Sequence, residues 1–230
     1  MATVIVGGLI GIIIGNRLSP KIRETVIAGL ALFTIGYGVM TFVHTENPLI
    51  PLGSLILGAI LGEWWRIEDG LNRVGEFTRE HTLKIFPSHV GAHFVEGFVT
   101  TSLLFCIGPM AILGSIQDGL TGDYSMLAIK AIMDGFAAIA FGSTLGVGVI
   151  FSALIVLLYQ GSISFMAGLI STGFSEAMIT EMSAVGGVIL IGLALSSLLE
   201  IKKIRIGSFL PSLVIAPLIV WVLTLLKITF

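Results

Sequence analysis

Residues 126–160 read MLAIKAIMDGFAAIAFGSTLGVGVIFSALIVLLYQ, and only Lys130 and Asp134 carry charge within them. Residues 131–159 as a single helix would measure ~43 Å, against the ~30 Å hydrocarbon core of a bilayer. The stretch is therefore either two short spans or one kinked span. The break falls in Gly142-Ser143-Thr144-Leu145-Gly146-Val147-Gly148. The rest of the chain has the same character. Hydrophobic residues make up 55% and glycine adds 29 positions, while charged residues are 11%. Soluble domains carry roughly 25% charge. Mean hydropathy is +1.05. The expected fold is an all-α transmembrane helix bundle, because lipid offers no partners for open backbone.

Composition also excludes several function classes. With 12 Lys+Arg and a net charge of −2, no basic patch for nucleic acid is present. The single Cys106 cannot form an internal disulfide. No P-loop, dinucleotide fingerprint, Ser-His-Asp set or zinc-finger spacing occurs. No cofactor is expected, and neither enzymatic activity nor ATP-driven transport by this chain alone. The first basic residue, Arg17, follows the first apolar run, so residues 3–15 read as a membrane segment rather than a signal peptide.

Outward from 126–160, eight membrane segments form one transmembrane domain over residues 1–230. Residues 3–15 rise only ~20 Å and make a short or tilted span. A polar loop at 16–24 leads to a full span at 25–43. Pro48 and Pro51 flank a turn before a short Gly-spaced segment at 52–63. Residues 91–113 span again with an interruption at Gly108-Pro109, and 114–125 read as a loop. Residues 161–183 suggest a re-entrant hairpin or a polar span, with Glu176 and Glu181 as exposed loop carboxylates. Residues 184–199 and 207–227 are the last two spans.

Residues 64–86 differ. Trp64, Ile67, Leu71, Val74 and Phe77 recur at spacings of three and four, and charges fill the other positions. This is an amphipathic helix, in the membrane plane or facing the cytosol, ending before Pro87. Trp64 and Trp65 suit the headgroup level.

Orientation follows from the basic residues. With both termini outside, the loops at 16–24, 64–90 and 200–206 lie inside and hold ten of the twelve Lys+Arg. Order of features also hints at inverted repetition: Gly7-Gly8 and Gly186-Gly187 each open a short span, a basic loop and a further span. Gly58 to Gly62 likewise resembles Met110 to Gly114. Glycines at Gly7, Gly11 and Gly15 and at Gly58 and Gly62 offer flat faces for close helix packing, and the chain is expected to self-associate through them as a homo-oligomer.

Ionisable groups within a membrane cost ~2.5–3.5 kcal/mol each on insertion scales, so each requires a reason. Lys130 and Asp134 are four apart and share a helix face. They line an ion or solute path with Asp134 exchanging a cation, or else form a structural pair. In the latter case Lys130 snorkels to the surface and Asp134 caps a broken helix. His89, His93 and Glu96 stand at i, i+4 and i+7. That spacing is read first as an interfacial cluster without metal and only second as a metal site, with Glu96 the deepest of the three. Ser143 and Thr144 sit in the glycine-rich break, where free backbone groups can hold ions. Gln160 ends the apolar run beside Gly161 and lines a pathway or caps a helix.

Four further stretches carry a resemblance. They are Gly97 to Cys106, Gly114-Ser115-Ile116-Gln117-Asp118-Gly119-Leu120, Asp134-Gly135-Phe136 and Tyr159-Gln160-Gly161. With Gly15-Asn16-Arg17-Leu18 and Leu210-Pro211, the chain resembles, over nearly its whole length, the prokaryotic domain-of-unknown-function 554 membrane proteins. The resemblance implies a bacterial or archaeal cytoplasmic membrane protein with no known substrate, and it points to Gln117, Asp118, Asp134 and Gln160. The expected function is movement of a small solute or ion, as a channel or as a secondary transporter coupled to Na+ or H+. The alternatives are a membrane scaffold or sensor docking a cytosolic protein through 64–86, and an intramembrane metalloenzyme using His89, His93 and Glu96.

Overall fold

Apolar side chains at almost every position of the spanning helices leave them without an aqueous face, and glycines stand among the residues they bury. The computed structural model describes residues 1–15, 17–85, 93–167 and 175–226. Among the described residues it contains ten α-helices and no strands. In chain order these are α1 (Ala2–Gly15), α2 (Pro20–Phe42), α3 (Leu49–Trp64), α4 (Ile67–Ile85), α5 (Phe94–Cys106) and α6 (Pro109–Thr121). They continue with α7 (Ser125–Leu145), α8 (Gly148–Phe165), α9 (Glu176–Leu193) and α10 (Ser212–Leu225). A π-turn, Ala194–Leu198, extends α9, and a 3-10 turn, Ile206–Phe209, precedes α10. Among the described residues five helices are long and apolar enough to cross a membrane, or up to seven segments if each of two bent pairs counts as one span; α1 is a shorter apolar helix.

The chain gathers into two compact units. The first holds residues 1–30, 71–106 and 110–170. In it α1 lies against α7. A Cβ at Gly7, Gly11 or Gly15 would strike the main chain of Gly135, Ile139 or Ser143 respectively. Both series advance by four, so the two helices run parallel with their backbones in contact. The Arg23 guanidinium closes the end of α1 by donating to the Gly15 carbonyl at 2.6 and 3.2 Å. Helix α5 follows α8 in the same way: Gly148 meets the Phe94 carbonyl, and the Phe94 and Phe151 rings lie 5.5 Å apart. Gly97 against Leu145 joins α5 to α7. Helix α4 rests Gly75 on Val95 and Phe98, while Val74 and Phe77 on its apolar side are exposed.

The second unit holds residues 31–70, 107–109 and 171–230. Gly38 of α2 and Gly187 of α9 face each other, and Gly58 and Gly62 of α3 rest on Ser212 and Ser208. At one end Glu181 of α9 is fully buried. It accepts from the Thr45 hydroxyl at 2.7 Å and from the Glu46 and Asn47 amides at 2.7 and 3.2 Å. At the other end Arg205 pairs with Glu63 at 3.1 Å and Asp69 at 2.7 Å, and the Gly207 amide donates to Glu68 at 2.6 Å.

The structure selects between some expectations and changes others. The stretch 126–160 is two helices, α7 and α8, joined by Gly146-Val147, with Gly146 at φ +77°. That positive φ is glycine territory and ends α7 at a sharp corner. Of the stretch 161–183, expected as a re-entrant hairpin or polar span, residues 161–165 continue α8 and residues 176–183 open α9, while residues 168–174 lie outside the described residues. The loop expected at 114–125 shrinks, because α6 continues to Thr121. Its buried side includes Ala111, Ser115 and Ile116, and the Ser115 hydroxyl bonds the Ala111 carbonyl. Trp64 closes α3 rather than opening the amphipathic helix, and Arg66 turns the corner at φ 53°. Helix α2 begins at Pro20, where a fixed φ and a missing N–H suit a first turn. Glu176 is exposed at the first turn of α9, but Glu181 is not a loop carboxylate. The glycine faces on which self-association was expected are covered within the chain, by α7, Ser208 and Ser212.

The burial of Glu181 gives a direct test. Removing its carboxylate leaves a hydroxyl and two amides without their acceptor, at ~1–3 kcal/mol for each unsatisfied group. Glu181→Ala should lower the thermal midpoint in detergent by many degrees, and Glu176→Ala should leave it unchanged. Equal midpoints for the two variants would remove this role from Glu181.

Candidate functional site

Helix α5 stops because of its own sequence. The Phe105 carbonyl should accept from the N–H four residues later, and that residue is Pro109, which has none. The chain breaks there, and α5 and α6 are bent by 61°. The last carbonyls of a helix need another donor, since nothing in lipid supplies one. Here the donor is Lys130, whose ammonium gives a hydrogen bond to the Phe105 carbonyl at 2.7 Å.

Lys130 lies ~8 Å and Asp134 ~14 Å along α7 from its first residue, by helical rise. The same Lys130 ammonium also bonds the Asp134 carboxylate. Both side chains are buried, at 9% and 12% exposure. The lysine therefore reaches inward to the break. It does not snorkel outward, and Asp134 is not the helix cap. One ammonium joins a full negative charge to the partial negative charge of a helix C-terminus.

Among the described residues four side-chain atoms are buried without a hydrogen-bond partner: Thr3 Oγ1, beside Gly135, Arg79 Nε, Ser102 Oγ and Gln160 Nε2. Ser102 stands one turn before the end of α5. Helices α5 and α8 run in step from Phe94 beside Gly148, which brings Gln160 level with Cys106. Cys106 and Tyr159 lie within electrostatic reach of each other, and Cys106 within reach of Lys130 and Asp134. Phe105 and Ser102 were not among the expected site residues. The signal for Phe105 was present, as the residue four before a proline inside an apolar run.

The other candidates lie elsewhere. Gln117 donates to Asp123 at 2.7 Å at the end of α6, and Asp118 is a turn from that end. Asp123 opens α7 by accepting from the Ser125 hydroxyl and amide. The Ser125 hydroxyl first, then its amide and Gln117, hold the Asp123 carboxyl below its ordinary range. Ser143 and Thr144 sit at the opposite end of α7, bonded to carbonyls of their own helix. Glu96 occupies the first turn of α5 and pairs with exposed His93 at 2.9 Å. His89 lies outside the described residues, and among the described residues no three metal-ligating side chains come together. The structure thus brings together Lys130, Asp134 and the level of Gln160, and separates them from Glu96, Gln117, Asp118, Ser143 and Thr144.

Comparison with known proteins sets this site in a family. The family described as "Protein of unknown function (DUF554)" matches residues 1–221. The chain belongs to that family. It is similar to the uncharacterized membrane protein YdfK of Bacillus subtilis (strain 168), with 29% identity over 225 residues, 96% of this chain and 93% of that one. It is also similar to the uncharacterized protein YqgA of Escherichia coli (strain K12), with 31% identity over 219 residues, 94% of this chain and 91% of that one. No solved structure matches. This DUF554 chain is an all-α membrane protein with several apolar helices. Of the motif residues that carried the resemblance, Asp134 bonds the lysine that caps the break, Gln160 stands on α8 level with Cys106, and Gln117 and Asp118 belong to the end of α6.

Proposed function

We propose that this protein moves a small solute or ion across the cytoplasmic membrane, and that the break between α5 and α6 lies on the path. The observation that carries this reading is Lys130, buried in α7 and bonded both to Asp134 and to the carbonyl that Pro109 leaves free. Broken spans holding charged side chains at mid-depth are where membrane carriers bind ions and polar solutes. Asp134 is the coupling residue, and Na+ or H+ is the coupling ion. Purified protein in proteoliposomes should show protein-dependent flux under an imposed Na+ or H+ gradient, read by radiolabelled sodium and an internal pH dye. Flux no greater than in empty vesicles under both gradients and at both orientations of the membrane potential would remove this reading.

The expected orientation, both termini outside, is supported within each unit. The turn at residues 45–47 shares an end with Glu181, and Glu63 and Asp69 share the other with Arg205. In the first unit Gly15, Arg23, Ser143, Gly148 and Phe94 share one end. In a Cys106→Ser background, a cysteine replacing Glu80 should react only with reagent on the cytosolic side. One replacing Leu120 should react only from outside. The reverse pattern would invert the topology.

A second reading, a scaffold that docks a cytosolic protein, rests on the exposure of Val74 and Phe77 in α4. Arginine at both positions discriminates: it should block docking yet leave cation flux unaltered if the two activities are separate.

A further inference from the structure

We infer that Lys130 is a tethered competitor for a cation site: its ammonium fills a position that a small monovalent cation takes when the lysine swings away. This rests on the transport reading above and names the class of ligand. The two partners of the ammonium, the Asp134 carboxylate and the Phe105 carbonyl, are hard oxygen donors. Unwound carbonyls and half-helix C-terminal ends are the groups by which broken membrane helices coordinate Na+, and here a carboxylate stands beside one. The lysine ammonium is a compact point charge on a flexible stem, so it and a small cation compete for one place.

Ser102 supplies the independent sign of a ligand. The residue is buried, with 7% exposure, and its buried hydroxyl has no hydrogen-bond partner. Hydroxyls in these helices usually bond the carbonyl one turn back, as Thr101 bonds Gly97 and Ser115 bonds Ala111. Buried polar groups are nearly always satisfied, so this free hydroxyl, one turn from the Phe105 carbonyl, awaits a partner. Gln160, level with the break on α8, adds a second buried polar group with an unmatched atom.

Charge balance dictates the exchange. With the ammonium in place, Asp134 is neutralised from within the chain. A cation entering the oxygen donors neutralises Asp134 instead and releases the ammonium. The freed stem reaches toward the start of α7, ~8 Å away by helical rise. One charge enters the site as one charge leaves it.

The test measures binding, so it stands whether or not flux is seen. Thermal midpoints of the purified full chain are recorded in rising NaCl, with choline chloride holding ionic strength constant. Lys130→Met removes the competitor, and the Na+ concentration giving half the stabilisation should fall at least tenfold relative to wild type. Lys130→Gln, which keeps an N–H for the Phe105 carbonyl, should do the same and serves if the Met variant does not fold. Ser102→Ala in the Lys130→Met background should raise that concentration severalfold. Lys130→Met with Asp134→Asn should show no Na+-specific stabilisation. An unchanged Na+ response in both lysine variants, the absence of any response in them, or an undiminished response in the double variant would each overturn the inference. Na+ binding without flux would remove the transport reading and keep the site.

Discussion

Asp134→Asn is expected to reduce gradient-driven uptake in proteoliposomes to the level of empty vesicles, with the protein still folded. Asparagine keeps the shape and an oxygen that the Lys130 ammonium can bond, and the Phe105 carbonyl remains as its second partner. What disappears is the negative charge that a coupled cation must meet. The opposing expectation is quantitative. Breaking a buried pair by removing one charge destabilises by about 3–5 kcal/mol when the pair is only structural. On that account Asp134→Asn alone melts early, and Lys130→Met with Asp134→Asn recovers stability and activity together, since a neutral pair buries no lone charge. The coupling role requires the double variant to fold well and stay inactive. Full activity in that variant would leave Lys130 and Asp134 as a structural clasp.

The second large effect belongs to the glycine seams. Gly62→Val and Gly15→Val should each cost more than about 3 kcal/mol, beyond the ordinary overpacking penalty. The groups they would strike, at Ser208 and Ser143, are main chain. A side chain can rotate away, but a helix backbone can only separate from its neighbour. Gly29→Val and Gly36→Val on α2 are the controls, since nothing lies within 4 Å of a Cβ at either position. The measurement is yield of monodisperse protein and its thermal midpoint. Normal yields for Gly62→Val and Gly15→Val would mean that α3 and α1 do not pack on these residues.

The membrane class was legible because it needs only composition, and the spans because lipid tolerates little else than long apolar runs. The break at Gly108-Pro109 was legible for the same reason as any helix stop, a residue without an N–H. The partner of the break was not. Lys130 and Phe105 are 25 residues apart, and nothing in periodicity says that a lysine near a helix start turns inward. Glu181 was misread because a carboxylate in a Ser/Thr-rich stretch looks wet, and its three donors come from a turn 134 to 136 residues earlier in the chain. Glycines at four-residue spacing were read correctly as close contacts, but spacing alone does not distinguish a partner within the chain from a second copy. The apolar side of α4 was read correctly as amphipathic. Its outward direction follows from Gly75, which takes the bundle contact about 100° from Val74 and about 200° from Phe77 around the helix.

The seam between α1 and α7 also has a consequence in time. Gly15 and its neighbour Ser143 are separated by 128 positions, a stretch that takes roughly 6–25 s to synthesise at ~5–20 residues per second. For that interval α1 sits in the bilayer with its bare backbone face unoccupied, while five later helices emerge past it. Any small-residue face arriving earlier is a rival for the same groove. Final assembly of the first unit is therefore a late event in biogenesis, and nascent chains halted before residue 125 should hold α1 loosely and be open to proteolysis and to chaperones of the insertion machinery.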